Sequence, residues 1–231
     1  MLPSEFPEVQ ASVNLKRLLK SQVDMQFQDL RTLLELPRSK TEGGCNLTAA
    51  AVLFNLIAGA SVCFYDASPQ AFRGRGDRGI RFVGVLTRFY PWDPRGGVTP
   101  AEAAAFIYES ARNPLAHSLG LEPPAPTGSR RTVMLRKWAL SPDQVWELEN
   151  ASTRPKWTRA LISEVERRAD VITKATISIP ALYFGVCRML RALFRDPEQL
   201  AKTEAVAGEF VRLWPQYAAG GAYVLFRRRR R

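Results

Sequence analysis

The chain is poor in histidine and cysteine, the residue types that most often build metal and redox sites. Its 231 residues include one histidine and three cysteines. A single histidine excludes any metal site made of several histidines, and it makes His117 the only candidate base for a Ser-His-Asp triad. The three cysteines have no CxxC spacing, and their number is odd, so they cannot all pair with one another. They are Cys45, Cys63 and Cys187. We therefore expect no disulfide framework, no metal or other cofactor, and a reducing, cytoplasmic compartment.

Negative charge is scarce as well. Lys and Arg number 33 against 22 Asp and Glu, which gives a formal net charge of +11 at pH 7, and arginine outnumbers lysine 26 to 7. Guanidinium groups bind phosphates through two parallel hydrogen bonds, so the excess favours a nucleic-acid partner, although a GC-rich genome explains the preference for arginine equally well. The chain ends in a basic tail, 227–231, that is expected to attract phosphates without sequence selectivity. Its residues are Arg227, Arg228, Arg229, Arg230 and Arg231.

Several common motifs are absent from the sequence. There is no P-loop, no G-x-S-x-G and no H-E-x-x-H. The segment "GRGDRG", 74–79, matches G-x-G-x-x-G, but no strand precedes it, so it predicts a turn. The first ten residues, "MLPSEFPEVQ", lack the basic and apolar regions of a secretory signal, so no such signal is expected.

One apolar segment, "LTAAAVLFNLIAGASVCFY" at 47–65, has no charge over a length that could cross a bilayer. It is rich in Ala, Gly and Ser and carries Asn55 near its middle. A helix that is apolar all round is also typical of the centre of a helical bundle. We favour the buried core helix and do not expect a membrane partner.

The pattern along the chain predicts a mainly α-helical protein. Domain boundaries are expected as follows: a helical bundle at 1–122, a linker at 123–131, a mixed but mainly helical C-terminal region at 132–226, and the basic tail at 227–231. Helices are predicted over 13–36, 46–66, 77–90, 99–112, 141–150, 158–170, from Pro180 onwards, and over 197–214. Strands are predicted over 132–140 and 171–179, as a small β-hairpin or two-stranded sheet.

The only histidine follows an arginine in the segment "RNPLAH", Arg112 to His117. The helix that begins at Thr99 is predicted to end near Arg112, because Pro114 disfavours helical geometry at Asn113. A short helix is predicted to restart at Pro114, with Asn113 as its N-cap, and to stop at Gly120. On an unbroken helix, positions five apart point about 140° away from each other. The break would let the side chains of Arg112 and His117 point towards the same region. A guanidinium beside an imidazole that titrates near pH ~6.5 suits metal-free RNA cleavage.

These six residues resemble the R-x(4–6)-H motif of the HEPN superfamily. Four residues separate Arg112 from His117, and a polar residue, Asn113, follows the arginine. The resemblance covers this motif and, more loosely, the helical pattern of 1–122. It implies a helical bundle with the motif on a late helix, and a homodimer whose two motifs form one cleft. It also implies metal-independent endoribonuclease activity in toxin–antitoxin or other defence systems, with Arg112 and His117 catalytic and Asn113 a supporting polar group.

Other interpretations remain open at this point. The chain could be a non-catalytic HEPN-like module that binds RNA or a protein, such as an antitoxin or regulatory partner, or a membrane-associated protein that uses 47–65 and the basic tail. Arg112 and His117 could also simply bind carbonyl groups at a helix end. Trp138, Trp146 and Trp157 lie near basic residues, where they either fill a core or stack on bases, and we favour the core.

Overall fold

The computed structural model shows a mainly helical protein with one small sheet in its described residues, which are 12–19, 23–37, 45–65, 77–93, 97–117 and 131–213. The predicted linker, apart from Arg131, and the basic tail lie outside them. The helices are α1 (Val13–Leu19), α2 (Met25–Glu35), α3 (Asn46–Ala60), α4 (Arg78–Phe89), α5 (Pro100–Phe106), α6 (Asn113–His117), α7 (Pro142–Asn150), α8 (Ile179–Arg195) and α9 (Pro197–Leu213). The region predicted as one helix over 13–36 contains both α1 and α2.

Short capping signals determine where two of these helices begin. The Thr99 hydroxyl accepts a hydrogen bond from the Glu102 backbone N–H, and the Glu102 carboxylate accepts one from the Thr99 N–H. Ser141 and Gln144 form the same reciprocal pair at the start of α7. In both helices a proline occupies the first turn, where its missing N–H leaves no partner unsatisfied. Both predicted helix starts are confirmed.

Helix α3 continues into a π-helical turn, Ser61–Tyr65, and together they form the predicted apolar helix. The span Asn46–Tyr65 is long and apolar enough to cross a membrane by length and composition, with a mean hydropathy of 2.0 over its most apolar window. Half of that window is buried inside the protein. Helix α3 contacts α2, α4 and α8. Its largest buried side chains are Leu53, Phe54, Leu56 and Ile57. Helix α3 thus contributes to the core.

The sheet has three strands rather than the two that the sequence predicts. They are β1 (Thr132–Arg136), β2 (Ile162–Arg168) and β3 (Val171–Ser178), in the spatial order β1-β3-β2. Strand β1 runs parallel to β3, with Thr132 opposite Lys174, and β2 runs antiparallel to β3, with Arg168 opposite Val171. The two predicted strands correspond to β1 and β3, which are neighbours in the sheet but run parallel, so they do not form the expected hairpin. The hairpin is formed by β2 and β3, and β2 lies where a helix is predicted.

The helix predicted over 158–170 is wrong, because this region forms β2. Its apolar residues Leu161, Ile162 and Val165 recur at the spacing of a helical face. In the structure the ladder between β2 and β3 is irregular next to Glu164, whose φ of 52° is left-handed. Such a bulge shifts the alternation of side chains along a strand, so a period-two pattern was not visible in the sequence.

One hydrophobic core joins the helices and the sheet. It extends from Leu15 in α1 to Phe210 in α9. Helix α8 is central to it, since it contacts α3, α4, α7, α9 and β3. The described residues of the predicted segments 1–122 and 132–226 therefore share this core.

Candidate functional site

The motif segment, defined here as residues 107–117, ends a long helical stretch that begins at the Thr99 cap. Helix α5 passes into a π-helical segment, Ile107–Arg112, which passes directly into α6. Strand β1 contacts the π-helical segment, and α3 contacts α6. The motif therefore lies between the start of the apolar helix and one edge of the sheet.

The predicted break at Asn113 is absent. Asn113 has helical angles, φ −65° and ψ −48°, and its backbone N–H donates to the carbonyl of Tyr108, five residues earlier. In an α-helix the ring of Pro114 would clash with the carbonyl four residues before it. The π-helical segment changes the pairing to five residues just before the proline, so the helix continues. Asn113 is a helical residue, not the cap of a new helix.

The guanidinium of Arg112 is held by its own helix. Its Nη1 donates a hydrogen bond to Asn113 Oδ1 at 3.0 Å. Its central carbon lies 5.8 Å from the centre of the Tyr108 ring, within the range of a cation–π interaction. Both Arg112 and Asn113 are half-buried. These two contacts orient the Arg112 guanidinium on its own helix.

The ring beneath Arg112 is itself fixed by the core. Tyr108 packs against Phe82 with a distance of 5.2 Å between ring centres. Phe82 is buried in α4. A Cβ on Gly79 would lie 2.9 Å from the Tyr108 ring, so the ring would have to shift to accept a side chain there. Arg112 thus rests on a ring whose position α4 determines.

The structure brings Arg112 and Asn113 together and describes His117 as the last residue of α6. The His117 side chain lies outside the described part of the chain. Because the helix is unbroken, the geometric reason for expecting Arg112 and His117 of one chain to face a common space is lost. If Arg112 and His117 act on one substrate, they must come from two copies of the chain, or they must reach the substrate from different sides.

A cleft of about 240 Å³ lies beside the motif segment. Its walls include Ser110, Pro114 and Leu115 of the motif segment, Asn46 at the start of α3, and two residues of β1. Most of these groups are apolar. The cleft therefore offers an apolar surface next to the motif, with polar groups supplied by Ser110 and Asn46.

The polar groups at the cleft have specific partners. Asn46 Nδ2 donates to the Leu135 carbonyl at 2.9 Å, while its Oδ1 is buried without a hydrogen-bond partner. Arg131 Nη1 lies 3.4 Å from Ser110 Oγ and 2.5 Å from a carboxylate oxygen of Glu109. Nothing in the sequence marks Asn46 or Ser110 as part of a site, because their neighbours across the cleft are far away in the chain.

The three tryptophans near basic residues differ in the structure. Trp138 and Trp157 pack edge to face, with ring centres 6.2 Å apart, and both contact the core. The Trp157 indole N–H also donates to Glu147 at 2.8 Å. Trp146 is 66% exposed. The core expectation is therefore confirmed for two of the three. The basic tail that was predicted to bind nucleic acid lies outside the described residues.

Two of the three cysteines offer no reactive thiolate. All three are free thiols. Desolvation raises the pKa of Cys63 and of Cys187 to about 12. A thiol with such a pKa is protonated at neutral pH and is a poor nucleophile.

Neither a metal cluster nor a known relative identifies the site. In the part of the chain that the structure describes, no group of three or more His, Cys, Asp or Glu side chains is placed to hold a metal ion. Comparison of the chain with protein-family models, with curated proteins and with solved structures finds no match.

Proposed function

We propose that this protein is a metal-independent endoribonuclease with a HEPN-like helical bundle, and that it cleaves RNA through Arg112 and His117. The observation that carries the proposal is the fixed guanidinium of Arg112, hydrogen-bonded to Asn113 and stacked on Tyr108. A guanidinium that is already oriented loses little conformational freedom when it binds a phosphate. The net charge of +11 favours the approach of a polyanion.

The proposed reaction uses the RNA's own 2′-hydroxyl as the nucleophile. The 2′-oxygen attacks the adjacent phosphorus while the bond to the 5′-oxygen of the next nucleotide breaks. His117 removes the 2′-hydroxyl proton or supplies a proton to the leaving 5′-oxygen. Arg112 stabilises the additional negative charge on the phosphorane. The products are a 2′,3′-cyclic phosphate and a 5′-hydroxyl.

A homodimer would bring Arg112 and His117 to the same substrate, which the backbone of one chain does not do. On a continuous helix Arg112 and His117 diverge by about 140°, so the pair of one chain is not directed to one point by the backbone alone. Two copies related by a two-fold axis would place Arg112 of one chain opposite His117 of its partner. The cleft beside the motif would then hold a nucleotide next to the cleaved bond. We expect this activity in the cytoplasm, under the control of an antitoxin or regulatory protein.

A second candidate function is a non-catalytic HEPN-like module that binds RNA or a protein. The unbroken helix at Asn113 favours it, because the kink that would have brought both motif residues of one chain together is absent. In this case Arg112 would still bind phosphate, and His117 would not transfer a proton.

The test is incubation of purified protein with single-stranded RNA in EDTA, with the products analysed for 2′,3′-cyclic phosphate ends. The variants are His117→Ala and Arg112→Ala. The matched control is Arg212→Ala, which also removes one positive charge but lies on α9, where Arg212 pairs with Glu209 of the same helix at 2.8 Å. We expect the wild type and the control to cleave, and each motif variant to lose about 10²–10⁴-fold in rate.

The outcomes separate the two candidate functions. Loss of cleavage in both motif variants, with folding unchanged, supports the nuclease. RNA binding without cleavage by the wild type supports the binding module. Equal cleavage by all four proteins assigns the activity to another site or to a contaminant, and the role of the motif segment is then refuted.

A further inference from the structure

Three residues of the motif segment, Tyr108, Arg112 and Asn113, form one connected unit. The Arg112 guanidinium donates to Asn113 Oδ1 at 3.0 Å, and the Asn113 backbone N–H donates to the Tyr108 carbonyl. The guanidinium carbon of Arg112 in turn lies 5.8 Å from the centre of the Tyr108 ring. Both the backbone and the ring of Tyr108 therefore help to hold the arginine that the proposed function uses.

The position of the Tyr108 ring is determined by a second helix, α4. The ring packs against Phe82, with 5.2 Å between the ring centres, and Phe82 is only 1% exposed. Gly79 precedes Phe82 in α4, and a Cβ built on it would lie 2.9–3.1 Å from three atoms of the Tyr108 side chain. Because packed interiors leave no spare room, a side chain at Gly79 would displace the ring from α4. The glycine thus allows the ring to lie close to this helix.

A displaced Tyr108 ring would alter the position of the Arg112 guanidinium. A cation–π interaction extends to about 6 Å from the ring centre, and the observed distance of 5.8 Å leaves little room for movement. A charged group stabilises a transition state only if it is already placed where the negative charge develops. A misplacement of about 1 Å can reduce a rate by about 10²-fold. A small movement of the ring is therefore enough to affect the reaction.

We propose that Tyr108 is a positioning residue for Arg112 in RNA cleavage, and that Gly79 of α4 controls the place of its ring. The inference rests on the proposed function, in which Arg112 stabilises the phosphorane. Tyr108 acts through Arg112 and not on the substrate itself. Loss of the ring should therefore lower kcat more than it raises KM, because the additional charge on the phosphate develops only in the transition state.

The first test compares Tyr108→Leu with the conservative change Tyr108→Phe. Initial rates of cleavage are measured in EDTA over a range of concentrations of a single-stranded RNA that carries a fluorophore and a quencher. Tyr108→Phe keeps the ring and its attraction for the guanidinium, so its kcat should stay within about twofold of the wild type. Tyr108→Leu should lower kcat by about 10–10²-fold and change KM by less than about threefold.

The second test leaves the motif segment unchanged and compares Gly79→Ala with Gly84→Ala. The new Cβ at Gly79 would press on the Tyr108 ring, whereas a Cβ on Gly84 of the same helix would lie 3.0 Å from the Tyr65 ring. Tyr65 packs edge to face against Phe89 at the end of α4. The two changes therefore differ mainly in which tyrosine they displace. Gly79→Ala should lower kcat by about tenfold, and Gly84→Ala should leave it unchanged.

Equal kcat values for the two glycine variants, at a temperature where thermal melting shows both to be folded, overturn the proposal. It is also overturned if Tyr108→Phe loses as much activity as Tyr108→Leu, because the hydroxyl and not the ring would then matter. If Tyr108→Leu does not fold, the glycine variants decide, since they keep every aromatic side chain.

Failure of the proposed function is a separate result. An absence of cleavage by the wild type refutes the nuclease, and this inference with it. Cleavage at the wild-type rate by folded Tyr108→Leu refutes only the positioning role of Tyr108.

Discussion

Two polar clusters in this protein differ in their burial and in the number of helices that build them. In the core, the Glu149 side chain is 5% exposed and accepts hydrogen bonds from Arg31 and from the buried Tyr183 hydroxyl. In the motif segment, half-buried Arg112 donates to the neutral side chain of Asn113. The first cluster joins α2, α7 and α8, whereas the second is built within one helix and lies beside a cleft.

The difference in burial leads us to expect different roles for the two clusters. A buried carboxylate is tolerated only when its oxygens are bonded, and once they are bonded it has little capacity for a ligand. Arg112, in contrast, is half-buried, is oriented by an amide and a ring of its own helix, and lies beside a cleft. We therefore expect changes at Glu149 to alter stability and changes in the motif segment to alter activity.

The largest effect on stability is expected at Glu149. The change Glu149→Ala leaves the buried Tyr183 hydroxyl without its acceptor and removes the ion pair with Arg31. We expect the free energy of unfolding, measured by urea denaturation, to fall by about 3 kcal/mol. A loss below about 1 kcal/mol would show that the cluster behaves like a surface ion pair.

The same cluster predicts a pH dependence. Burial opposes the ionisation of Glu149, but hydrogen bonds from Arg31 and Tyr183 outweigh it, and the net result is a lowered pKa. A carboxylate whose pKa is lower in the folded state stabilises the protein above its unfolded pKa, and this contribution is lost as the pH falls through the folded value. The difference in unfolding free energy between the wild type and Glu149→Gln should therefore be largest near neutral pH and should shrink below the ordinary glutamate value of 4.5. A constant difference would contradict this.

The next effect is expected where α8 packs against Tyr90. The Tyr90 hydroxyl donates to the Ala181 carbonyl at 2.9 Å, and a Cβ on Gly185 would overlap the Tyr90 ring. Gly185→Ala should lower the free energy of unfolding by about 1–3 kcal/mol through overpacking. Gly208→Ala is the matched control, since a Cβ on Gly208 in α9 meets nothing within 4 Å. It should raise stability by up to about 1 kcal/mol. Similar melting temperatures for the two variants would contradict this packing.

The smallest of these effects is expected at the start of the helix that leads to the motif. Thr99→Ala removes one half of the reciprocal cap with Glu102. The loss in unfolding free energy should be about 1 kcal/mol, with RNA cleavage retained at a temperature where the variant is folded. Abolished cleavage in the folded variant would show that the geometry of the motif depends on this distant cap.

Local signals predicted much of the helical structure. The caps at Thr99 and Ser141 and the prolines that follow them determine the starts of α5 and α7 by hydrogen bonds within a few residues. The spacing of Arg188, Arg191 and Arg195 is also visible in the sequence, but only the burial of the rest of α8 shows that arginine forms nearly all of its exposed side.

What the sequence did not predict depends on non-local pairing or on unusual backbone geometry. The loop between β2 and β3 is Ala169-Asp170, and both residues have positive φ, 47° and 62°. Such two-residue loops usually contain Asn-Gly or Asp-Gly, so this one carries no recognisable hairpin signal. In the motif segment, Pro114 predicts a break, and the π-helical pairing at Asn113 that avoids it has no sequence signature.

The most direct test of the account compares RNA cleavage in EDTA by His117→Ala and Glu149→Gln, at a temperature where circular dichroism shows both to be folded. We predict that His117→Ala forms 2′,3′-cyclic phosphate ends about 10²–10⁴-fold more slowly than the wild type and melts at the same temperature. We predict that Glu149→Gln melts at a lower temperature and cleaves RNA at the wild-type rate. Undiminished cleavage by His117→Ala, or loss of cleavage in folded Glu149→Gln, would contradict the assignment of chemistry to the motif segment and of stability to the core.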